Sequence, residues 1–168
     1  MAKSNRRDES HVTIAQFNDA PQQGAVTFAT LGWSNFLLAG STKLVREELA
    51  LACRAKFAEW NQVAILRQLA AISISRTKAF VRGQVFRARG TMFPDGSMEA
   101  MYFSSPALFP SCFSSCDAGF PERVAICWAI PISRPEADFV QRHGWDKFEE
   151  MLDLHDPDLL DFQRRGIV

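Results

Sequence analysis

Ten consecutive residues, Arg123 to Ile132 (RVAICWAIPI), carry one charge, one proline and otherwise only apolar side chains. A strand with one face in water alternates apolar and polar residues. A run without alternation fits a strand buried on both faces, at the centre of a sheet. The run is half the roughly 20 apolar residues that a membrane-spanning helix needs, and no window of about 18 apolar residues occurs anywhere in the chain.

The residues that follow are helical. Ser133-Arg134-Pro135-Glu136 has the spacing of a capping box, in which the serine hydroxyl accepts from the Glu136 backbone N–H and Glu136 reaches back to the serine N–H. Gly144 stops that helix, and Trp145, Phe148 and Leu152 carry a second one to about Leu154. Asp156-Pro157 opens a last turn, with Leu159, Leu160 and Phe162 available for burial. Earlier, Ile65, Leu69 and Ile72, with Val63, Leu66 and Ala70, predict a long helix between Phe57 and Lys78.

Strands are predicted over His11–Phe17, Ala25–Leu31, Lys43–Cys53 and Met98–Ser105. In the third, Val45, Leu49, Leu51 and Cys53 share one face, and Arg46, Glu48, Ala50 and Ala52 share the other. The stretch Gly83 to Gly90 is punctuated by glycine, Pro94-Asp95-Gly96 is a turn, and Pro106 to Pro121 is irregular. These elements add up to an α+β class: a mixed, mainly antiparallel sheet with helices packed on it. A single domain is expected over residues 11–168, after a disordered polar tail at 1–10.

Formal net charge is zero, with 19 basic and 19 acidic residues, so no global field draws the chain to nucleic acid or an anionic membrane. The distribution is uneven. Residues 135–161 hold nine acids against Arg142 and Lys147, a net of −7, whereas Trp60–Pro94 holds six bases and no acid. The N-terminus MAKSNRRDES lacks the apolar core of a secretory signal, so a cytoplasmic chain with reduced thiols is expected. No glycine-rich phosphate loop opens a helix after a strand, and no cofactor is expected.

Three stretches together resemble the suppressor-of-fused (SUFU) domain family: AVTFATLGWSN at 25–35, LVREELALA at 44–52, and the strand ending AIPI at 129–132 with its helix start, Phe139, His143-Gly144 and acidic tail to Arg164-Arg165. The segment FPDGSMEAMYFSSPALFP (93–110) is similar to the family's turn, strand and loop, and the resemblance spans roughly 25–165. It implies a non-enzymatic binding protein. Bacterial single-domain members act as immunity proteins that neutralise a cognate toxin by direct binding; animal members restrain a transcription factor. The first role is the expected one, because the chain lacks the larger members' extra C-terminal region. The partner implied is therefore a protein, a toxin domain, rather than membrane or nucleic acid. A regulatory or scaffold protein with an unrelated partner is the alternative. The family supplies no catalytic or metal-binding residue to carry over.

Two candidate partner surfaces stand out. The acidic run 146–161, with Glu149, Glu150 and Asp153, is a paired-carboxylate site, a solvated helix face or a decoy for the basic cleft of a nuclease toxin. The aromatics Trp33, Phe36, Phe109 and Phe113 sit in irregular segments, as binding anchors or as plugs at the edge of the core. Cys112 and Cys116 have a zinc-compatible gap but no second ligand pair, so ordinary thiols are expected. A hydrolase using one of them with a histidine (His11, His143 or His155) is the reading from another class. Arg67, Arg76 and Lys78 either grip phosphate or line the exposed side of the long helix. Arg46 and Glu48 are expected to form an ion pair with each other, or with Arg164.

Overall fold

The computed structural model describes residues 12–88, 92–94 and 98–168. The tail expected at 1–10, His11, Arg89, and the Asp95-Gly96 half of the expected turn lie outside the described residues. Among the described residues eight strands are formed: β1 (Thr13–Asn18), β2 (Ala25–Leu31), β3 (Leu38–Ala39), β4 (Leu44–Arg54), β5 (Val85–Arg87), β6 (Ala100–Ser104), β7 (Ser115–Cys116) and β8 (Val124–Ile132). They join in one sheet of order β1-β2-β4-β8-β6-β5, with β3 beside β4 and β7 beside β8. Between these strands every pairing is antiparallel except β4 with β8, which is parallel. The mixed, mainly antiparallel α+β sheet expected from sequence is the one observed.

The apolar run does occupy the centre. On one face of the sheet, Cys127 and Ala129 of β8 join Phe28, Leu49, Leu51, Cys53, Met101 and Phe103 beneath helix α1 (Gln62–Arg76). On the other face, Trp128, Ile130 and Ile132 join Ala100 and Tyr102 beneath α2 (Arg134–His143) and α3 (Trp145–His155). Each fully buried leucine, isoleucine, methionine or phenylalanine among them contributes about 2 kcal/mol. Pro131 lies beyond the β4 pairing, which ends at Ala50↔Trp128, so its missing N–H falls where β8 keeps one strand neighbour only.

Helix α1 starts five residues later than expected. Phe57 and Trp60 are drawn instead into an aromatic cluster with Phe93 and Phe162, where Phe57 stacks on Phe162 at 5.3 Å. Its buried side is Ile65, Leu66, Leu69, Ala70, Ser73 and Ile74, while Val63 is exposed. At the far end, Ser133 Oγ accepts from Glu136 N and Glu136 Oε2 accepts from Ser133 N at 2.7 Å, forming the capping box. Arg164 then donates to both Glu136 oxygens, a pair with both side chains buried, and pins the C-terminal segment across the start of α2.

Candidate partner-binding surfaces

The GWSN segment and the VREEL strand are one construction. β2 leaves β4 after the Ala29↔Ala50 pair, and the chain turns at Gly32, whose φ of 96° suits a residue without Cβ. Glu48 reaches into this turn. Its carboxylate accepts from Thr30 Oγ1 at 2.5 Å, Gly32 N at 2.9 Å, Ser34 N at 3.0 Å and Ser34 Oγ at 2.7 Å. Four donors satisfy a buried charge without any cation.

The ion pair expected between Arg46 and Glu48, or of either with Arg164, is not formed. Arg46 donates instead to the carbonyls of Ser34 and Asn35, pairs with Glu122 at 3.2 Å and lies over the Phe120 ring. The backbone donors of the turn sit closer to Glu48 than any cation and already fill its lone pairs. The clasp also turns Trp33 inward: its exposure is 0% and its ring meets Phe80. Trp33 therefore presents no surface to a partner, and Phe36 is half-buried against the same core.

The aromatic loop is better ordered than its composition implies. A 3-10 turn at Ser111–Ser114 leads into β7, and Phe109 and Phe113 stack at 4.3 Å. Phe109 also meets Trp128 edge-on and packs over Ala25, Ala52 and Leu160. Both rings are half-buried plugs with one accessible side, and Leu108 beside them is exposed. Cys112 and Cys116 are exposed free thiols.

The acidic run divides in two. Five of its nine acids are paired with cations from elsewhere: Glu136 with Arg164, Asp138 with Arg87, Glu149 with Arg82, Asp158 with Arg54, and Asp161 with Lys56. Two of those cations, Arg82 and Arg87, come from the basic middle. The opposite charges seen along the chain are thus partly folded against each other. Glu149 is the most committed, accepting from Arg82, Tyr102 Oη at 2.7 Å and Ser104 Oγ at 3.0 Å. Burial pushes its carboxyl up, but these hydrogen bonds and the Arg82 charge outweigh that and hold it below the usual range. Burial, then Glu149, raises the Tyr102 phenol.

The remaining four acids, Asp146, Glu150, Asp153 and Asp156, have no ion-pair partner among the described residues and are exposed. Asp146, Glu150 and Asp153 follow i, i+4, i+7 on α3, opposite the buried Phe148. Leu154, beside Glu150 on that outer side, is 75% exposed, and Trp145 at the start of the helix is also exposed. Asp146 and Asp156 belong to the acidic run read from sequence, where the seven-residue spacing of Asp146 to Asp153 is a visible signal; Leu154 as an exposed surface residue is not.

Among the described residues no group of three or more His, Cys, Asp and Glu is placed to hold a metal ion. Burial raises the Cys53 thiol to about 11 and pushes Cys127 up as well, so neither is a ready nucleophile. His143 packs on Phe139, and His155 Nδ1 lies 3.0 Å from the Met151 carbonyl. Arg67, Arg76 and Lys78 lie exposed along and just after α1, on the opposite face of the sheet from α3. No helix among the described residues is long and apolar enough to cross a membrane.

Comparison with known proteins agrees with this architecture. The family model for the suppressor of fused protein (SUFU) matches residues 8–165. The immunity protein YqcF of Bacillus subtilis (strain 168) is 22% identical over 160 residues, covering 95% of this chain and 83% of that protein. A putative SUFU homologue from Neisseria gonorrhoeae FA 1090 superposes with a TM-score of 0.72 at 18% identity, covering 95% of this chain and 90% of that one. A chain of the Sufu–Fu complex superposes with a TM-score of 0.64 at 12% identity, covering 93% and 76%. With the clasp, the central β8 strand and the capped C-terminal helices all inside the matched span, the chain belongs to the SUFU family.

Proposed function

We propose that this chain is a non-enzymatic immunity protein that neutralises a cognate toxin by direct one-to-one binding, through the outward face of α3. The observation that carries the reading is the likeness to an immunity protein over 95% of the chain. The α3 face supports it: three acids at helical spacing, without ion-pair partners among the described residues, flanked by an exposed leucine. Glu150 and Asp153 remain in the proposed surface, whereas Glu149 supports it from beneath. Phe109 and Phe113, with Leu108, form a secondary contact region. A toxin with a basic cleft would be steered to α3 by charge, so its association rate falls as salt rises.

The test is co-expression with the product of the adjacent gene. Stoichiometric capture of a toxin domain and rescue of growth are expected. Reversing Asp146, Glu150 and Asp153 to lysine should slow association by about tenfold or more at low salt. Capture with no salt dependence, unchanged by the triple reversal, would remove α3 from the interface. Failure to capture or to rescue would remove the immunity reading itself.

A further inference from the structure

Sheet edges expose rows of unpaired N–H and C=O groups, and folded proteins protect them with charges, prolines, bulges, short length or a covering helix. One edge of this sheet, β5, has such protection: it is three residues long, Arg87 pairs with Asp138 of α2, and Val85 packs into the core beneath the C-terminal helices. The opposite edge, β1, does not. Its six residues, TIAQFN, contain no charge, proline or glycine, and among the described residues no strand pairs with its outer side.

The face beside that edge is also apolar. Thr13, Ala15 and Phe17 stand across from Leu31, Ala29 and Thr27 of β2. Phe17 is 49% exposed and Leu31 is 50% exposed, two of the larger apolar groups left open on the surface. Ile14 points to the other face and joins the α1-side core, which fixes the direction of the outward set.

We infer that β1 is a self-association edge: two copies of this chain pair β1 against β1 in antiparallel register about Ala15, extending the sheet across a two-fold axis. Symmetry sets the register. With Ala15 opposite its own copy, Thr13 meets Phe17 of the second molecule, and Thr13 is next to Leu31. Each Phe17 ring therefore lies over the partner's Thr13 towards its Leu31, and both exposed apolar groups are covered. A two-fold contact sets residue i against j and only the residue on the axis against its own copy, and a strand with no charge meets no like-charge repulsion in that arrangement. Centred on Ala15, the ladder pairs residues 13–17 of each strand and falls short of the roughly 1,000 Å² of a stable interface, so the pairing is reversible and concentration-dependent. The α3 face packs over β6, towards the far edge, so dimer formation and partner binding there are compatible.

Sedimentation velocity on the full chain, from about 1 µM to about 1 mM, spans the range in which weak dimers form. A weight-average mass rising from one chain towards two is expected. Ala15→Lys sets two like charges opposite each other and should weaken association at least tenfold; Ala15→Glu should do the same. An equimolar mixture of the two variants should regain it as a heterodimer. In a Cys112→Ser/Cys116→Ser background, Ala15→Cys should oxidise to a covalent dimer, because directly opposed residues have Cα separations of about 4.5–5.5 Å, within disulfide range. Circular dichroism confirms that each variant is folded. A monomer at every concentration, or a dimer indifferent to Ala15→Lys, overturns the inference. A monomeric chain whose Ala15→Lys variant loses a captured toxin overturns it in favour of a strand donated by that partner. Loss of toxin capture with dimerisation intact bears on the proposed function alone.

Discussion

Glu47 sits on the core side of β4, 4% exposed, among side chains that are otherwise apolar. Its carboxyl accepts from Phe80 N at 3.0 Å and shares a hydrogen bond with the Cys127 thiol, and among the described residues no cation pairs with it. Burial, helped by the neighbouring Glu48 charge, pushes it from an ordinary 4.5 up to about 8. The folded protein therefore holds a proton between those two values that the unfolded chain has released. Stability is complete below about 4.5, falls as pH rises towards 8, and flattens once both states are ionised. The interval from 4.5 to about 8 is roughly 3.5 pH units, and at about 1.4 kcal/mol per unit the loss has a ceiling of about 5 kcal/mol. Glu47→Gln keeps a carbonyl for the Phe80 N–H and replaces the acid proton with an amide donor. It should cost about 1 kcal/mol or less at pH 5 and exceed the parent in stability by a few kcal/mol at pH 8.5. Urea denaturation at half-unit steps from pH 5 to 9 measures this. The difference between the two proteins cancels the groups they share. If the two stability curves run parallel across that range, Glu47 does not carry the proton and the argument from burial fails.

Three other perturbations test separate parts of the fold. Arg164→Met leaves the Glu136 carboxylate buried without its cation, and should lower unfolding free energy by about 3–5 kcal/mol in chemical denaturation. Phe148→Ala opens a cavity under α3 against Tyr102, and should lower it by about 3–5 kcal/mol, with a matching fall in the thermal midpoint. Glu149→Lys removes the acceptor shared by Arg82, Tyr102 and Ser104 and should destabilise by about 2–3 kcal/mol, while Asp153→Lys should stay within about 0.5 kcal/mol. Equal effects at 149 and 153 in a thermal melt would contradict the division of the acidic run.

Features whose causes are local could be read before the structure. The uninterrupted apolar stretch of β8 needs both faces covered wherever it lies, and the serine and glutamate of the capping box bond within one turn. Short elements carried no such signal: β5 is three residues beside a glycine, and β3 and β7 are two residues each, held by their neighbours rather than by their own periodicity. The start of α1 was misplaced because Phe57 and Trp60 continue its apolar pattern yet are claimed by Phe93 and Phe162 from distant positions. The candidate site was legible in composition but not in pairing. A count of charge along the chain shows a basic middle and an acidic end. It does not show that Arg82 holds Glu149 and Arg87 holds Asp138. Trp33, flanked by Gly32, Ser34 and Asn35, has the look of an exposed loop residue, and only the reach of Glu48 from another strand turns it inward.

The parallel pairing of β4 with β8 sets an order of events for a chain as it folds. β1, β2 and β4 are joined by nearby turns and can meet early. Arg46 finds Val124 only after the intervening segment has been traversed, and β6 with β5 joins the rest of the sheet only through β8. Closing so long a loop is entropically slow, so folding on the millisecond-to-second scale is the expectation for this topology. Until β8 arrives, the central strand β4 is itself an open edge along residues 46–50, whose backbone groups on that side have no strand partner. A ribosome-bound chain that has not yet exposed Ile132 is therefore the form of this protein most exposed to aggregation, and the one for which a chaperone would matter.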